Sequence, residues 1–302
     1  MSTLRSFSSG KYQFNLDPTF DAAYVKSVDG GFHKADVVSE QAGPSHLSFK
    51  HSSTVDIQPI SLELGMAISK PMIDWISASW RRDYQRKSGS ILHADFNGKI
   101  RYAQEFTEAL ILETSFPALD ASSKDSAYMT VKIQPEGLSI KTEGGDLKGT
   151  LGVKQKLWTP ANFCLSVDGC NCDGVSKIDS FTVKQEVKKF HFGPYREPQI
   201  EPSKLTFPDL TIESSLAYAE DFMKWHQNYV VLGKKDTKEQ RDGEIIFYDQ
   251  TLSNPLLTVS LANIGISSFE ILKSEAHSET IKKAKIGLYV ESMDITDGFG
   301  LE

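Results

Sequence analysis

"VKSVDGGFHKADVVSEQAGP", Val25 to Pro44, laid without a gap over "VSKIDSFTVKQEVKKFHFGP", Val175 to Pro194, decides how this chain is built. Val25 meets Val175, Val28 meets Ile178, Asp29 meets Asp179, Lys34 meets Lys184 and Val37 meets Val187. Both stretches close on Gly-Pro, Gly43-Pro44 and Gly193-Pro194. The offset is 150 residues, and carried forward it sets Ile60 on Leu210, Leu62 on Ile212, Ala67 on Ala217 and Trp75 on Trp225. Tryptophan is rare, so a Trp–Trp match in an ungapped frame outweighs several Val–Ile matches. Past the tryptophans the second copy needs about four extra residues, which brings Gly89 onto Gly243 and Asp95 onto Asp249. The chain is written twice.

Each copy repeats one coarse pattern. It opens with an alternating strand, Tyr12, Phe14 and Leu16 in the first and Phe163, Leu165 and Val167 in the second. Strand-like runs follow at 32–39 and 55–64, and at 181–190 and 205–212, with prolines between them that mark turns or edge strands. Then comes one helix. Ser69 is placed to cap the first, Pro71 suits its first turn, and Met72, Trp75, Ile76 and Ser79 share a face. In the second copy Tyr218, Phe222, Trp225 and Tyr229 form a stripe at helical spacing. Trp75 and Trp225 read as core plugs that pin helix to sheet. Three more strand candidates close each copy, at 91–96, 109–114 and 128–134, and at 244–248, 256–266 and 285–291. One helix among six or so strands joined by short turns predicts a mainly β protein of two tandem antiparallel β-barrel or sandwich domains. The glycine-rich, polar segment "KTEGGDLKGTLGVKQKLWTP" marks the boundary, giving domains at 1–140 and 161–302 with a linker at 141–160.

The bulk numbers agree with that plan. A chain of 302 residues can bury two ordinary cores, and 39% hydrophobic with 24% charged residues is a globular composition. No apolar run approaches the roughly 18 residues of a membrane span, so no membrane partner is expected. The first residues, "MSTLRSFSSGKYQFNLD", hold no apolar signal core, so no classical secretory signal is expected. Cys164, Cys170 and Cys172 are too few and too clustered for a disulfide framework, so synthesis in a reducing cytoplasm is expected. A net charge of −7 disfavours tight binding of nucleic acid but not its passage without sticking.

No catalytic constellation emerges. The chain has no G-x-S-x-G elbow, P-loop, H-E-x-x-H or dinucleotide fingerprint. Its seven histidines do not recur at matching positions of the two copies, as they would around a duplicated active site. "VDGCNCDG", Val167 to Gly174, holds Cys170 and Cys172, but a Cys-x-Cys pair supplies two of the four ligands that a structural metal needs. The corresponding first-copy stretch, "LDPTFDAAY", is an acidic turn without cysteine, so a plain turn is the reading. "WRRDYQRK", Trp80 to Lys87, interleaves aromatic and basic residues as nucleic-acid surfaces do. It also lies at a helix end, where cations complement the terminal carbonyls. No catalytic residue, metal site or cofactor is expected.

The runs "VKSVDGG", "KPMIDWISASW" and "SILHADFNGKIRY" in the first copy, with "DFMKWHQ" and "GEIIFYDQTLSNPLLTVSLANI" in the second, resemble the tail tube family. These are the inner-tube proteins of contractile phage tails and related injection systems. The resemblance covers nearly the whole chain outside 141–160 and the termini. It implies barrels capped by one helix, joined edge to edge in a six-membered ring around a channel for DNA or protein cargo. With two domains per chain, a homotrimer would form such a pseudo-hexameric ring. The resemblance also implies ring stacking through the connections at 43–54 and 193–204. Gly43, Pro44, His46, Phe49, His51, Gly193, Pro194, Tyr195 and Arg196 are the candidate contacts. Neighbouring rings, sheath and baseplate proteins are the implied partners, and a virion tail or injection particle the place of assembly. Two other readings stay open: an adaptor or hub at the tube end, where two-domain versions fit, and a tandem β-domain ligand-binding protein.

Overall fold

The computed structural model describes residues 9–41, 43, 46–142, 144–148, 158–193, 196–234, 239–273 and 281–297. Its first half runs β1 (Ser9–Leu16), β2 (Thr19–Gly30), β3 (His33–Gln41), β4 (Ser48–Ile57), β5 (Ile60–Ile68) and α1 (Lys70–Trp80). There follow β6 (Lys87–Asp95), β7 (Ile100–Phe116), the short β8 (Leu119–Asp120), β9 (Met129–Gln134) and β10 (Gly137–Lys141). The second half runs β11 (Phe163–Val167), β12 (Val175–Ile178), β13 (Phe181–Phe190), β14 (Gln199–Thr206) and β15 (Leu210–Ser215). It continues through α2 (Glu220–His226) to β16 (Arg241–Tyr248), β17 (Pro255–Ile271) and β18 (Lys283–Asp297).

All ladders between these strands are antiparallel, and the protein is mainly β. In the first half β7, β6, β1, β2, β5 and β9 follow one another, and β9 returns to β7, so the sheet closes on itself as a barrel. In the second half β16, β17, β18, β15 and β12 repeat that order, with β11 beside β16. Among the described residues this sheet stays open between β11 and β12, and β8 from the first half pairs with β12 instead.

The repeat is carried down to single hydrogen-bonded partners. Val28 faces Leu62, and 150 residues on Ile178 faces Ile212. The β3–β4 hairpin pairs Lys34 with Asp56 and, beyond a bulge, Val38 with His51; β13–β14 pairs Lys184 with Thr206 and Lys188 with Glu201. After the helix the four extra residues are in place. Gly89 lies beside Leu16 and Gly243 beside Val167, each where a Cβ would collide with a backbone carbonyl oxygen, that of Asn15 or of Ser166. Asp95 accepts the N–H groups of Asn97 and Lys99, and Asp249 those of Thr251 and Ser253. Further on, β9 with β10 corresponds to the unbroken β18: Leu138 faces Phe106, and Met293 faces Leu261.

Alternation sets what is buried. Along β15, and along β9 up to Ile133, every second side chain enters the core, as one covered face requires. One apolar cluster runs through both halves. Trp75 and Trp225 are buried in it, and each indole N–H donates to a carbonyl downstream, Gln85 at 2.7 Å and Glu239 at 3.0 Å.

Four local expectations change. Residues 55–64 and 205–212 are not single strands, because Pro59 separates β4 from β5 and Pro208 lies between β14 and β15. Ser69 sits at the start of α1, but its hydroxyl caps nothing; its N–H donates to the carbonyl of Ala22. Tyr218 leaves the helical stripe, since residues 216–218 form a 3-10 turn before α2, and it packs over Gly174 instead. After α2 the chain widens into a π turn, residues 227–231, which keeps Tyr229 on the buried side.

Candidate functional site

The stretches 43–54 and 193–204 belong to two hairpins rather than to open connections, because β4 occupies most of the first and β14 the second half of the other. Gly43 and Gly193 turn them, with φ of +71° and +54°, a conformation that glycine adopts without strain. His46, Phe49, His51 and Arg196 are exposed on the hairpins, Phe49 to 64%. Pro44, Pro194 and Tyr195 lie outside the described residues. The faces of β3 and β4 are almost wholly exposed, so neither strand is held by a core of its own.

The two hairpins differ in what they join. The β3–β4 pair forms a two-stranded sheet by itself, whereas β13 leaves its own half and pairs with β7 of the barrel. Phe181 faces Phe116, Thr182 faces Ser115, Val183 faces Thr114 and Lys184 faces Glu113. Across this junction the hydroxyl of Thr182 donates to that of Ser115 at 2.9 Å, and Phe116 stacks on Phe181 and Phe247. Arg86 fixes the hairpin further out. It pairs with Glu136 and donates to the carbonyl of Ile200 at 2.7 Å and to Glu201 at 3.1 Å, while Glu136 accepts the N–H of Ile200 at 2.9 Å. Between the halves, Lys189 also pairs with Asp56, and His33 meets Glu197 at 3.1 Å. The helix contributes as well, since Ser77 donates to Asp294 of β18 at 2.7 Å and Arg81 pairs with the same carboxylate. That accounts for Arg81 and Arg86 of the basic run: their guanidiniums are held by carboxylates of this chain.

The segment 167–174 is a turn tied to the helix. Asn171 donates its N–H to Asp221 at the start of α2. Arg241 donates to the carbonyl of Asp168 at 2.9 Å and to Cys170 Sγ at 2.8 Å, and its guanidinium lies 4.4 Å from the Trp225 ring. Burial pushes the Cys170 thiol up to about 12 and that of Cys172 to about 11, so both stay protonated and poor as nucleophiles or ligands. Among the described residues no group of three His, Cys, Asp or Glu side chains is arranged to hold a metal ion. Inside the barrel His93 is buried, shares a 2.8 Å hydrogen bond with Gln104 and stacks on Tyr102 at 4.1 Å. Desolvation lowers its pKa and keeps the ring neutral. Gln104 in turn donates to the carbonyls of Gly30 and Gly31, where β2 turns toward the hairpin. Neither this network nor the strand exchange leaves a periodic mark in the sequence, so neither was foreseeable from it.

Among the described residues, no helix is long and apolar enough to cross a membrane. Residues 9–139 match the family of T4-like virus tail tube protein gp19. None of the curated proteins matches the chain. Among solved structures, a chain of the anti-feeding prophage baseplate is 15% identical, with 45% of this chain and 93% of that one covered and a TM-score of 0.37. A chain of the sheath–tube complex of an extracellular contractile injection system, PVC, is 16% identical over 45% of this chain and 88% of that one, with a TM-score of 0.37. Hcp1 from Flavobacterium johnsoniae is 12% identical over 45% and 95%, with a TM-score of 0.28.

Proposed function

We propose that this chain is a structural, non-catalytic component of the tube of a phage tail or contractile injection system, built from two tube domains at 1–140 and 161–302 joined through 141–160. Three copies close a pseudo-hexameric ring around a channel that passes DNA or protein cargo. Rings meet each other, the sheath or the baseplate through the two hairpins. The observation that carries this reading is the junction of β13 with β7, in which a hairpin of one half extends the barrel sheet of the other. A sheet extended domain by domain leaves no exposed edge once it closes into a ring, and unpaired edges are what β proteins must avoid. The gp19 family match over 9–139 supports the same reading for the first half. The negative net charge suits a wall past which DNA slides.

The test is electron microscopy of the purified protein with its mass measured in solution. Rings with a central hole and a mass of three chains support the proposal; a monomer at every concentration overturns self-assembly. The tube-end adaptor is favoured by one observation, the opening of the second sheet between β11 and β12 where the first is closed. Single rings that never stack decide for the adaptor, and stacked tubes for the tube body.

A further inference from the structure

The internal junction is a template for the external one. Because the repeat preserves strand register, the β13–β7 contact between the first and second halves has a counterpart on two edges that no described strand covers. β7 corresponds to β17: Leu110 faces Gln134 as Gly265 faces Tyr289. β13 corresponds to β3, as their hairpin partners show. The junction pairs Thr182 with Ser115, Val183 with Thr114 and Lys184 with Glu113. The counterparts are Phe32 with Glu270, His33 with Phe269 and Lys34 with Ser268.

We propose that Phe32–Lys34 of one chain pairs antiparallel with Ser268–Glu270 of a second copy, in this register. The inference rests on the ring reading above and specifies how its chains join.

Three further observations support a second copy as the occupant. Ile271 is 53% exposed, whereas its counterpart Phe116 is 1% exposed, and Phe32 is 47% exposed at the head of a hairpin that no other described strand joins. β13 begins at Phe181, gaining its first residues from β7, while β3 begins only at His33. The charges are complementary as well. At the internal junction Arg86 and Glu136 of the barrel hold Ile200 and Glu201 of the hairpin. Their counterparts are Gln240 and Glu291, already hydrogen-bonded at 2.8 Å, facing Lys50 and His51. An acidic body thus meets a basic hairpin, the reverse of the polarity at the Arg86–Glu201 contact.

Disulfide trapping in the full chain tests the register. Ser115 and Thr182, whose hydroxyls meet at 2.9 Å, show that this pair of positions brings side chains together, as a disulfide requires. With Phe32→Cys and Glu270→Cys combined, mild oxidation is expected to give covalent dimers and trimers of the assembled protein, reversed by reductant. Neither single variant is expected to do so, nor is Phe32→Cys with Phe269→Cys, whose side chains point to opposite faces. Rings of normal mass that link through 32 and 269, or not at all, overturn the register and leave the ring standing. Absence of any oligomer in the unsubstituted protein overturns both. Because the Phe32→Cys change could impair folding, the charge exchange Lys50→Glu with Glu291→Lys gives a second reading. Each single change should weaken assembly at least tenfold and the pair should recover most of it; no recovery counts against the geometry.

Discussion

Phe116 and Phe181 stack with ring centroids 4.8 Å apart and planes 18° apart, and they belong to strands of different halves of the chain. Phe116 also stacks on Phe247 at 5.4 Å and meets the edge of Trp80 at 6.4 Å. One side chain therefore touches the barrel helix, the exchanged strand and the second sheet. The two halves share a core at this point.

Truncation of that ring is the most damaging single change in the junction. Phe116→Ala is expected to cost about 3–5 kcal/mol, the loss of a large buried aromatic plus the cavity left behind. Urea unfolding followed by circular dichroism and by tryptophan fluorescence measures it. Both probes should shift together; a shift in one alone would show that the halves are independent.

The paired close approaches make a second test. Gly89→Ala places a Cβ 2.2 Å from the carbonyl oxygen of Asn15, and Gly243→Ala places one 2.4 Å from that of Ser166. Backbone cannot yield as a flexible side chain does, so each change is expected to destabilise by about 1–3 kcal/mol. Thermal melts of the two variants should show drops of similar size. A drop at Gly89 with none at Gly243 would mean that the open second sheet relaxes around the intruding methyl.

The repeat was legible because residues that must fit a fixed place stayed recognisable: Gly89 and Gly243 beside a carbonyl, and Trp75 and Trp225 under the sheet with an N–H to satisfy. The mainly β fold with one helix in each half followed from alternation and proline spacing. The path of β13 was not legible. Its alternating pattern fits an edge of either sheet, and only the three-dimensional position of β7 decides which. Likewise nothing local distinguished Tyr218 from the helix it precedes, because residues on an i, i+4 spacing look alike whether the first turn is α or 3-10.

His93 gives a pH dependence with a definite sign. Burial lowers its pKa below the ordinary 6.5, so between that value and the folded one the unfolded chain binds more protons. Its contribution to stability is therefore present above pH ~6.5 and declines as pH falls below it. Melting temperatures at pH 7.5 and 5.5 should differ in the unsubstituted protein, and the difference should shrink in His93→Gln. An unchanged difference would assign the pH response to other groups.

Hairpin substitutions separate folding from assembly. Phe49 is exposed on β4 and faces Glu40 across a sheet that no other described strand joins, so Phe49→Ser removes little buried surface from the chain itself. Its effect on the melting transition should stay within about 0.5 kcal/mol, as for surface changes away from structural features. If rings stack through the hairpins, the same change removes an apolar contact repeated around the ring, and stacks seen by electron microscopy should shorten or disappear while single rings persist. His46→Glu, at another exposed hairpin position, should act in the same direction by placing a carboxylate at the contact. Normal stack lengths in both variants, with normal melts, would assign ring stacking to another part of the molecule.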